Sequence, residues 1–230
     1  MTRSFFSSSE PITLVGGGAL SLETYQICRS FAEPVVGADG GANFVFEQGE
    51  LPDAVIGDLD SLAPGFRDRL PVERLLEISE QDSTDFDKAL RSVEAPLILA
   101  PGFMGKRVDH ELAAFHGLTV RSDRAVILVG ETSLVCVVPP ELQLDLPKDT
   151  ALSLFPMGEV KVASEGLAWP TTGLSFAPHR QIGTSNAVEG PVVLRPDAPL
   201  MLLILDQAHL KTLMAALLAS ARWPALAKSE

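Results

Sequence analysis

Short β-rich runs alternate with longer stretches of helical spacing from Ile12 to about Val129. The runs are Ile12 to Val15, Val35 to Ala38, Ala54 to Gly57, Leu75 to Ile78, Leu97 to Ala100 and Val126 to Val129. Between them, Leu22 to Phe31, Ala42 to Glu47, Thr84 to Val93 and Asp109 to Leu118 carry helical periodicity or helix-start residues. Thr84 suits an N-cap, with Asp85 and Asp87 in the first turn. Strand and helix in alternation predict βαβ units around a largely parallel sheet.

After about Ser133 the pattern changes to short strands without intervening helices. Leu142 to Leu146 alternates strictly, Leu152 to Phe155 and Val192 to Leu194 follow, and prolines at 139, 140, 156, 170, 178, 191, 196 and 199 punctuate them. This predicts a small antiparallel sandwich or barrel. From His209 to about Arg222, residues Leu210, Leu213, Met214, Leu217 and Leu218 form one helical stripe that stops near Pro224, a packing helix or an oligomer contact. The expected fold is α/β: a Rossmann-like, parallel-sheet domain over residues 1–132, then an antiparallel β-sandwich with a terminal helix over 133–230.

Composition narrows the partners. With 18 basic against 30 acidic residues and a formal charge of −12, the chain is poorly suited to nucleic acid or an anionic membrane. A polyanionic substrate would need metal help. Cys28 and Cys136 lack the close spacing of a zinc site or redox pair and read as reduced, buried thiols. Ser, Glu and Pro interrupt the start before any signal-peptide core, and the longest apolar run, Leu200 to Leu205, is far short of the ~20 residues of a membrane span. A cytoplasmic, soluble protein is expected.

The candidate chemistry lies at the ends of predicted strands, in Ala38-Asp39-Gly40-Gly41, Gly57-Asp58-Leu59-Asp60-Ser61, Gln81-Asp82-Ser83-Thr84-Asp85 and Arg107-Val108-Asp109-His110. Hard oxygen ligands with glycines beside them, at the carboxyl edge of a parallel sheet, suit Mg²⁺ carrying a polyphosphate. Asp58 and Asp60 flank Leu59, so extended backbone would turn both carboxylates to one side, at a cost unless a cation joins them. Asp85 is the favoured third metal carboxylate and Gln81 a substrate-side donor. Asp85 and Lys88, three apart, could instead form a simple surface ion pair.

Asp87 is expected to face solvent, and Asp82 is undecided. Asp39 precedes two glycines where a nucleotide could approach the backbone, or it caps a helix at Ala42. Gly16-Gly17-Gly18 is either a phosphate-binding turn or a plain one. Arg107 can fork onto phosphate oxygens and Asp109 can orient a base, a ribose or a metal-bound water. His110, with no orienting partner evident in the sequence, reads as structural. In the second half, Trp169 could stack on a planar ligand while Ser185 and Asn186 bond its heteroatoms; core packing and turn chemistry are the competing readings.

In this order the segments resemble the thiamine pyrophosphokinase family, which shows ADGGAN, GDxDS, QDxTDxxKAL, a Gly-rich GRxDH, and a late GLxW or GLxY followed by SN. Here they stand as Ala38 to Asn43, Gly57 to Ser61, Gln81 to Leu90, Gly105 to His110, Gly166 to Trp169, and Ser185-Asn186. The resemblance runs from about Gly16 to Leu205. It implies a homodimer with active sites at the subunit interface and Mg²⁺-dependent transfer of the diphosphoryl group of ATP to the thiamine hydroxyl, giving thiamine diphosphate and AMP.

By motif, Asp58, Asp60 and Asp85 would hold metal, with Asp60, Asp85 and Arg107 serving the chemistry. Asp39, Gln81, Thr84, Lys88, Arg107 and Asp109 would contact nucleotide or its phosphates, and Ser185, Asn186 and Trp169 would bind thiamine. The choice of the β over the γ phosphorus rests on the resemblance alone. Three departures stand out: Lys106 occupies a place where the family often has glycine, the helix after His209 extends past the usual final strand, and Ala187 and Val188 follow Ser185-Asn186, leaving few polar groups there. The same carboxylates would also serve a diphosphotransferase acting on another heterocyclic alcohol, such as a hydroxymethylpterin, or a nucleotide-binding regulatory protein without turnover.

Overall fold

The structure is a computed structural model in which residues 4–225 are described. The extreme ends of both predicted domains, 1–3 and 226–230, lie outside the described residues. The chain divides into two compact units, one up to Gly117 together with Leu128–Glu131, the other Leu118–Ile127 together with Thr132 onward.

The first unit runs β1 (Phe6–Ser7), β2 (Ile12–Val15), α1 (Leu22–Phe31), β3 (Val35–Ala38), α2 (Gly41–Glu47), β4 (Ala54–Gly57), β5 (Leu75–Glu77), α3 (Asp85–Ser92), β6 (Val93–Glu94), β7 (Ile98–Pro101) and into α4 (Val108–Val120). Its sheet is parallel in the order β7-β2-β3-β4-β5. Every residue of β2, β3, β4 and β7 is buried, which is why these strands read as unbroken apolar runs: helices cover both faces of such sheets. Ser21 starts α1 by accepting the Thr24 N–H at 3.1 Å, and Thr84 starts α3 by accepting the Asp87 N–H at 3.2 Å. The chain winds outward from β2 to β5, then returns through α3 to lay β7 on the other side of β2. Winding therefore reverses between β2 and β7, and the crevice beyond the carboxyl ends of strands at such a reversal is where α/β sheets receive ligands.

β8 (Val126–Val129) crosses the boundary between the units. The second unit continues with β9 (Ser133–Val137), β10 (Leu142–Leu144), β11 (Ala151–Pro156), β12 (Val160–Leu167), β13 (Ser175–Phe176), β14 (Gly183–Pro196), β15 (Met201–Asp206) and α5 (Leu210–Ala219). Its pairings are antiparallel, as the alternation predicts. β14 is much longer than the predicted Val192 to Leu194. Its 14 residues pair first with β11 and later with β10 and β12. The apolar run Leu200 to Leu205 becomes β15, paired on both edges between β11 and β9.

Helix α5 buries Leu210, Leu213, Met214 and Leu217, while Leu218 is 48% exposed. It is thus a packing helix set against β10, and the chain after it is held by Trp223, whose indole N–H donates to the Val138 carbonyl at 2.9 Å. Cys28 and Cys136 are buried free thiols. Burial pushes both up to about 12, leaving them protonated and unreactive at neutral pH. Among the described residues no helix is long and apolar enough to cross a membrane.

Candidate active site

The end of β3 and the end of β4 are built around each other. Asp39 follows β3 with φ 43°, in left-handed backbone, and is buried. Its N–H donates to the Ile56 carbonyl at 2.8 Å. A Cβ at Gly57, the last residue of β4, would lie 2.6 Å from the Asp39 Cβ, so glycine there makes room for the aspartate. One Asp39 oxygen, Oδ1, is buried without a hydrogen-bond partner. A buried, unpaired carboxylate oxygen is costly to the fold, a cost that a bound ion or water would offset.

Beyond Gly57, Leu59 also takes left-handed backbone, φ 63°, and sinks its side chain among Ala42, Phe46, Val55 and Leu70. This inward leucine brings Asp58 and Asp60 to one side, where the sequence suggests extended backbone would do so. Carboxylate oxygens of Asp39, Asp58 and Asp60 lie within 4.8 Å of one another. Two full negative charges about 4 Å apart near a protein surface repel by roughly 4 kcal/mol before salt screening, a repulsion that a cation among them would relieve.

Asp85 stands beside this trio. Its Oδ1 accepts from Lys88 Nζ at 3.3 Å, and the same ammonium lies 3.8 Å from Asp58 Oδ2. The Lys88 side chain is only 2% exposed, so the pair is a buried ammonium joining two carboxylates and not the surface ion pair that spacing alone allows. Burial pulls the Asp58 carboxyl upward, but the Asp60 N–H, the Gln81 amide and Lys88 outweigh it and leave it below the ordinary range. Burial raises Asp85; Lys88 opposes this, while the charges of Asp39 and Asp58 add to it.

Gln81 is exposed and donates from Nε2 to Asp58 Oδ2 at 3.4 Å. The Thr84 hydroxyl serves as the α3 cap. Asp87 is half-buried, where the sequence predicts an exposed charge, and Asp82 is exposed. At the start of α4, Arg107 and Asp109 form a forked pair with distances of 3.1 and 2.5 Å, both side chains 64% exposed. So exposed a pair adds little to stability and is free to open for a phosphate. His110 is exposed. The Gly16–Gly18 turn packs on the loop after β7, with the Gly18 N–H donating to the Gly102 carbonyl at 2.6 Å. Both loops border the winding reversal.

Two residues that the sequence did not single out shape this edge. Asn43 donates to the Ser61 carbonyl at 2.7 Å and accepts the Ala63 N–H at 2.8 Å, tying the loop after Asp60 to α2. Glu80 gathers the turn before α3, accepting from Asp82, Ser83 and Arg91. The available signal was Asn43 as the last residue of the Ala38 to Asn43 segment, and an acid directly before Gln81, neither unusual in itself.

The second unit holds a cavity of about 270 Å³ lined by Trp169, Thr171, Phe176, Gln181, Ser185 and Asn186 among others. Trp169 is 63% exposed, a wall and not core. Asn186 is buried, and its amide is spent on the backbone: Oδ1 accepts the Trp169 N–H at 3.1 Å and the Ala187 N–H at 2.9 Å, while Nδ2 donates to the Trp169 carbonyl at 2.8 Å. Ser185 is exposed in left-handed backbone, φ 62°, held by its N–H donating to Ser153 Oγ at 2.9 Å. An aromatic wall with a few convergent polar groups suits a small planar heterocycle.

Residues 26–128 match the family model of the thiamin pyrophosphokinase catalytic domain, and residues 138–201 that of the thiamin pyrophosphokinase vitamin B1 binding domain. The chain is 26% identical to thiamine pyrophosphokinase 1 of Arabidopsis thaliana, over 71% of this chain and 74% of that one. It is 29% identical to thiamine pyrophosphokinase 1 of Oryza sativa subsp. japonica, over 68% and 72%. In fold it resembles the thiamin pyrophosphokinases of Geobacillus thermodenitrificans (TM-score 0.69, 22% identity, 85% of this chain and 97% of that one) and Candida albicans (TM-score 0.71, 13% identity, 90% and 95%). One family's catalytic and vitamin-binding models, matched in order, thus fall on the unit with the carboxylate edge and the unit with the aromatic-walled cavity: the chain belongs to the thiamin pyrophosphokinase family.

Proposed function

We propose that this chain forms thiamine diphosphate by moving the diphosphoryl group of ATP onto the hydroxyl of thiamine and releasing AMP. The observation that carries the reading is the convergence of Asp39, Asp58 and Asp60 with a buried Asp39 oxygen left unpaired. An all-carboxylate set of hard oxygens fits Mg²⁺ and not a softer metal. Asp58 and Asp60 would hold the ion with Asp85, which stands beside them on Lys88, and Asp39, whose oxygens converge with those of Asp58 and Asp60, would reach the nucleotide through it. When bound, Mg²⁺ neutralises charge on the phosphate oxygens.

The protein's own groups do the rest. Arg107 would exchange Asp109 for a phosphate and stabilise the charge on the transferring group, while Asp109, Gln81, Thr84 and Lys88 position the nucleotide. Trp169 would stack on thiamine, with Ser185 bonding it and Asn186 lining its pocket. The thiamine oxygen forms a bond to the β-phosphorus, the bond from that phosphorus to the α–β bridging oxygen breaks with the oxygen and its electron pair leaving on AMP, and the hydroxyl proton passes to solvent water. We assign nucleotide binding to residues 1–132, thiamine binding to 133–230, and the working state to a cytoplasmic homodimer, which sedimentation tests.

Incubation with ATP, Mg²⁺ and thiamine, with pterin alcohols in parallel, tests the reaction. Equal yields of AMP and thiamine diphosphate are expected. Formation of ADP, or turnover with a pterin alcohol alone, rejects it.

A further inference from the structure

Glu80 lies outside the carboxylate cluster, yet its two oxygens accept four hydrogen bonds. Oε2 takes the N–H groups of Asp82 at 2.8 Å and Ser83 at 3.1 Å; Oε1 takes the Ser83 hydroxyl and the Arg91 guanidinium, each at 2.5 Å. Arg91 belongs to the last turn of α3. These contacts close a ring that begins one residue before Gln81 and ends on the helix carrying Asp85 and Lys88. Two side chains inside the ring touch Asp58 of the cluster, the Gln81 amide at 3.4 Å and the Lys88 ammonium at 3.8 Å, and Asp85 accepts from the same ammonium.

The turn needs such an anchor. Residues 81–83 form bends outside any strand or helix, so their N–H groups have no ladder to join and an ionised carboxylate is a strong substitute acceptor. The Glu80 and Arg91 side chains are each 35% exposed, so their pair contributes little to overall stability. What it can set is the placement of the segment.

We infer that Glu80 is a positioning residue: it clasps the 81–84 turn to α3 so that Gln81, Asp85 and Lys88 meet Asp58 in one geometry, and through that geometry it governs affinity for a magnesium-nucleotide it never touches. The inference rests on the reading of this edge as a magnesium-nucleotide site.

The test compares wild type, Glu80→Ala and Glu80→Gln in the full chain. Calorimetry reads the binding of a non-hydrolysable ATP analogue with Mg²⁺, steady-state kinetics read KM for both substrates, and amide exchange reads residues 81–88. Glu80→Ala should weaken analogue binding by about 10–100-fold, the scale on which partners of metal ligands act, with thiamine KM within about twofold. Exchange across 81–88 should quicken while the melting temperature holds. Glu80→Gln, which keeps one oxygen for the backbone N–H pair, should fall between. Wild-type analogue affinity in Glu80→Ala overturns the inference, as does a loss shared equally by both substrates alongside a lowered melting temperature. A wild type that binds no magnesium-nucleotide fails differently, in the reference sample, and rejects the site reading itself.

Discussion

Asp60→Asn should lower kcat/KM by about 10²–10³-fold, the scale on which one group stabilising transition-state charge acts, without lowering the melting temperature. Asp60 is exposed, and its side chain is tied to its surroundings by the Ser61 hydroxyl, which donates to Oδ1 at 2.9 Å. Asparagine has the same shape and keeps an oxygen for that bond. It also removes one of three converging negative charges, which relieves repulsion in the metal-free protein. The fold therefore loses nothing while the cation loses a ligand. Asp58→Asn would be a poorer probe, since it also takes a partner from buried Lys88. Kinetics across a Mg²⁺ series, paired with thermal unfolding, decide the matter: wild-type kcat/KM in Asp60→Asn removes Asp60 from the metal set.

The largest expected effect on stability comes from Gly41→Ala. A Cβ there would sit 2.0 Å from the Val15 carbonyl oxygen, 2.6 Å from its carbon and 2.8 Å from the Gly16 carbon. All three are backbone atoms at the end of β2, so no side chain can swing away. Either α2 or the sheet edge must move, at a cost of about 3 kcal/mol or more. For a chain of this size that corresponds to roughly 6–12 °C in melting temperature. Gly41 opens α2 directly after Asp39 and Gly40, so nucleotide affinity should fall with it. A variant that melts and binds like wild type would show that β2 and α2 are not packed this closely in solution.

The parallel sheet was legible in the sequence because buried strands must be apolar on both faces. Its runs stand where they were expected to within a residue, and Thr84 caps α3. The carboxylate edge was legible too, since acidic residues beside glycines at strand ends are unusual text. What brings those acids together was not. Leu59 has no sequence mark of left-handed backbone; only the cluster that swallows its side chain imposes it. Lys88 reads as a surface lysine three residues from an acid until the packing of α3 buries it. In the second unit, Gly190-Pro191 masks the continuity of β14, because a proline demotes any single-sequence strand, yet the strand runs through it. Asn186 reads as a ligand donor, and only the geometry shows its amide occupied by the Trp169 backbone.

Asp39 carries a wider consequence. Its left-handed backbone, of a kind that costs an L-residue about 1–2 kcal/mol, and its unpaired buried oxygen both weigh against the folded state. Glycine would relieve the two at once. Durability and turnover therefore pull in opposite directions at this position: variants ranked by melting temperature should favour Asp39→Gly, and the same collection ranked by thiamine diphosphate formed should return aspartate. Thermostabilising this enzyme would have to proceed around residue 39, because the local instability and the proposed cation site share one side chain.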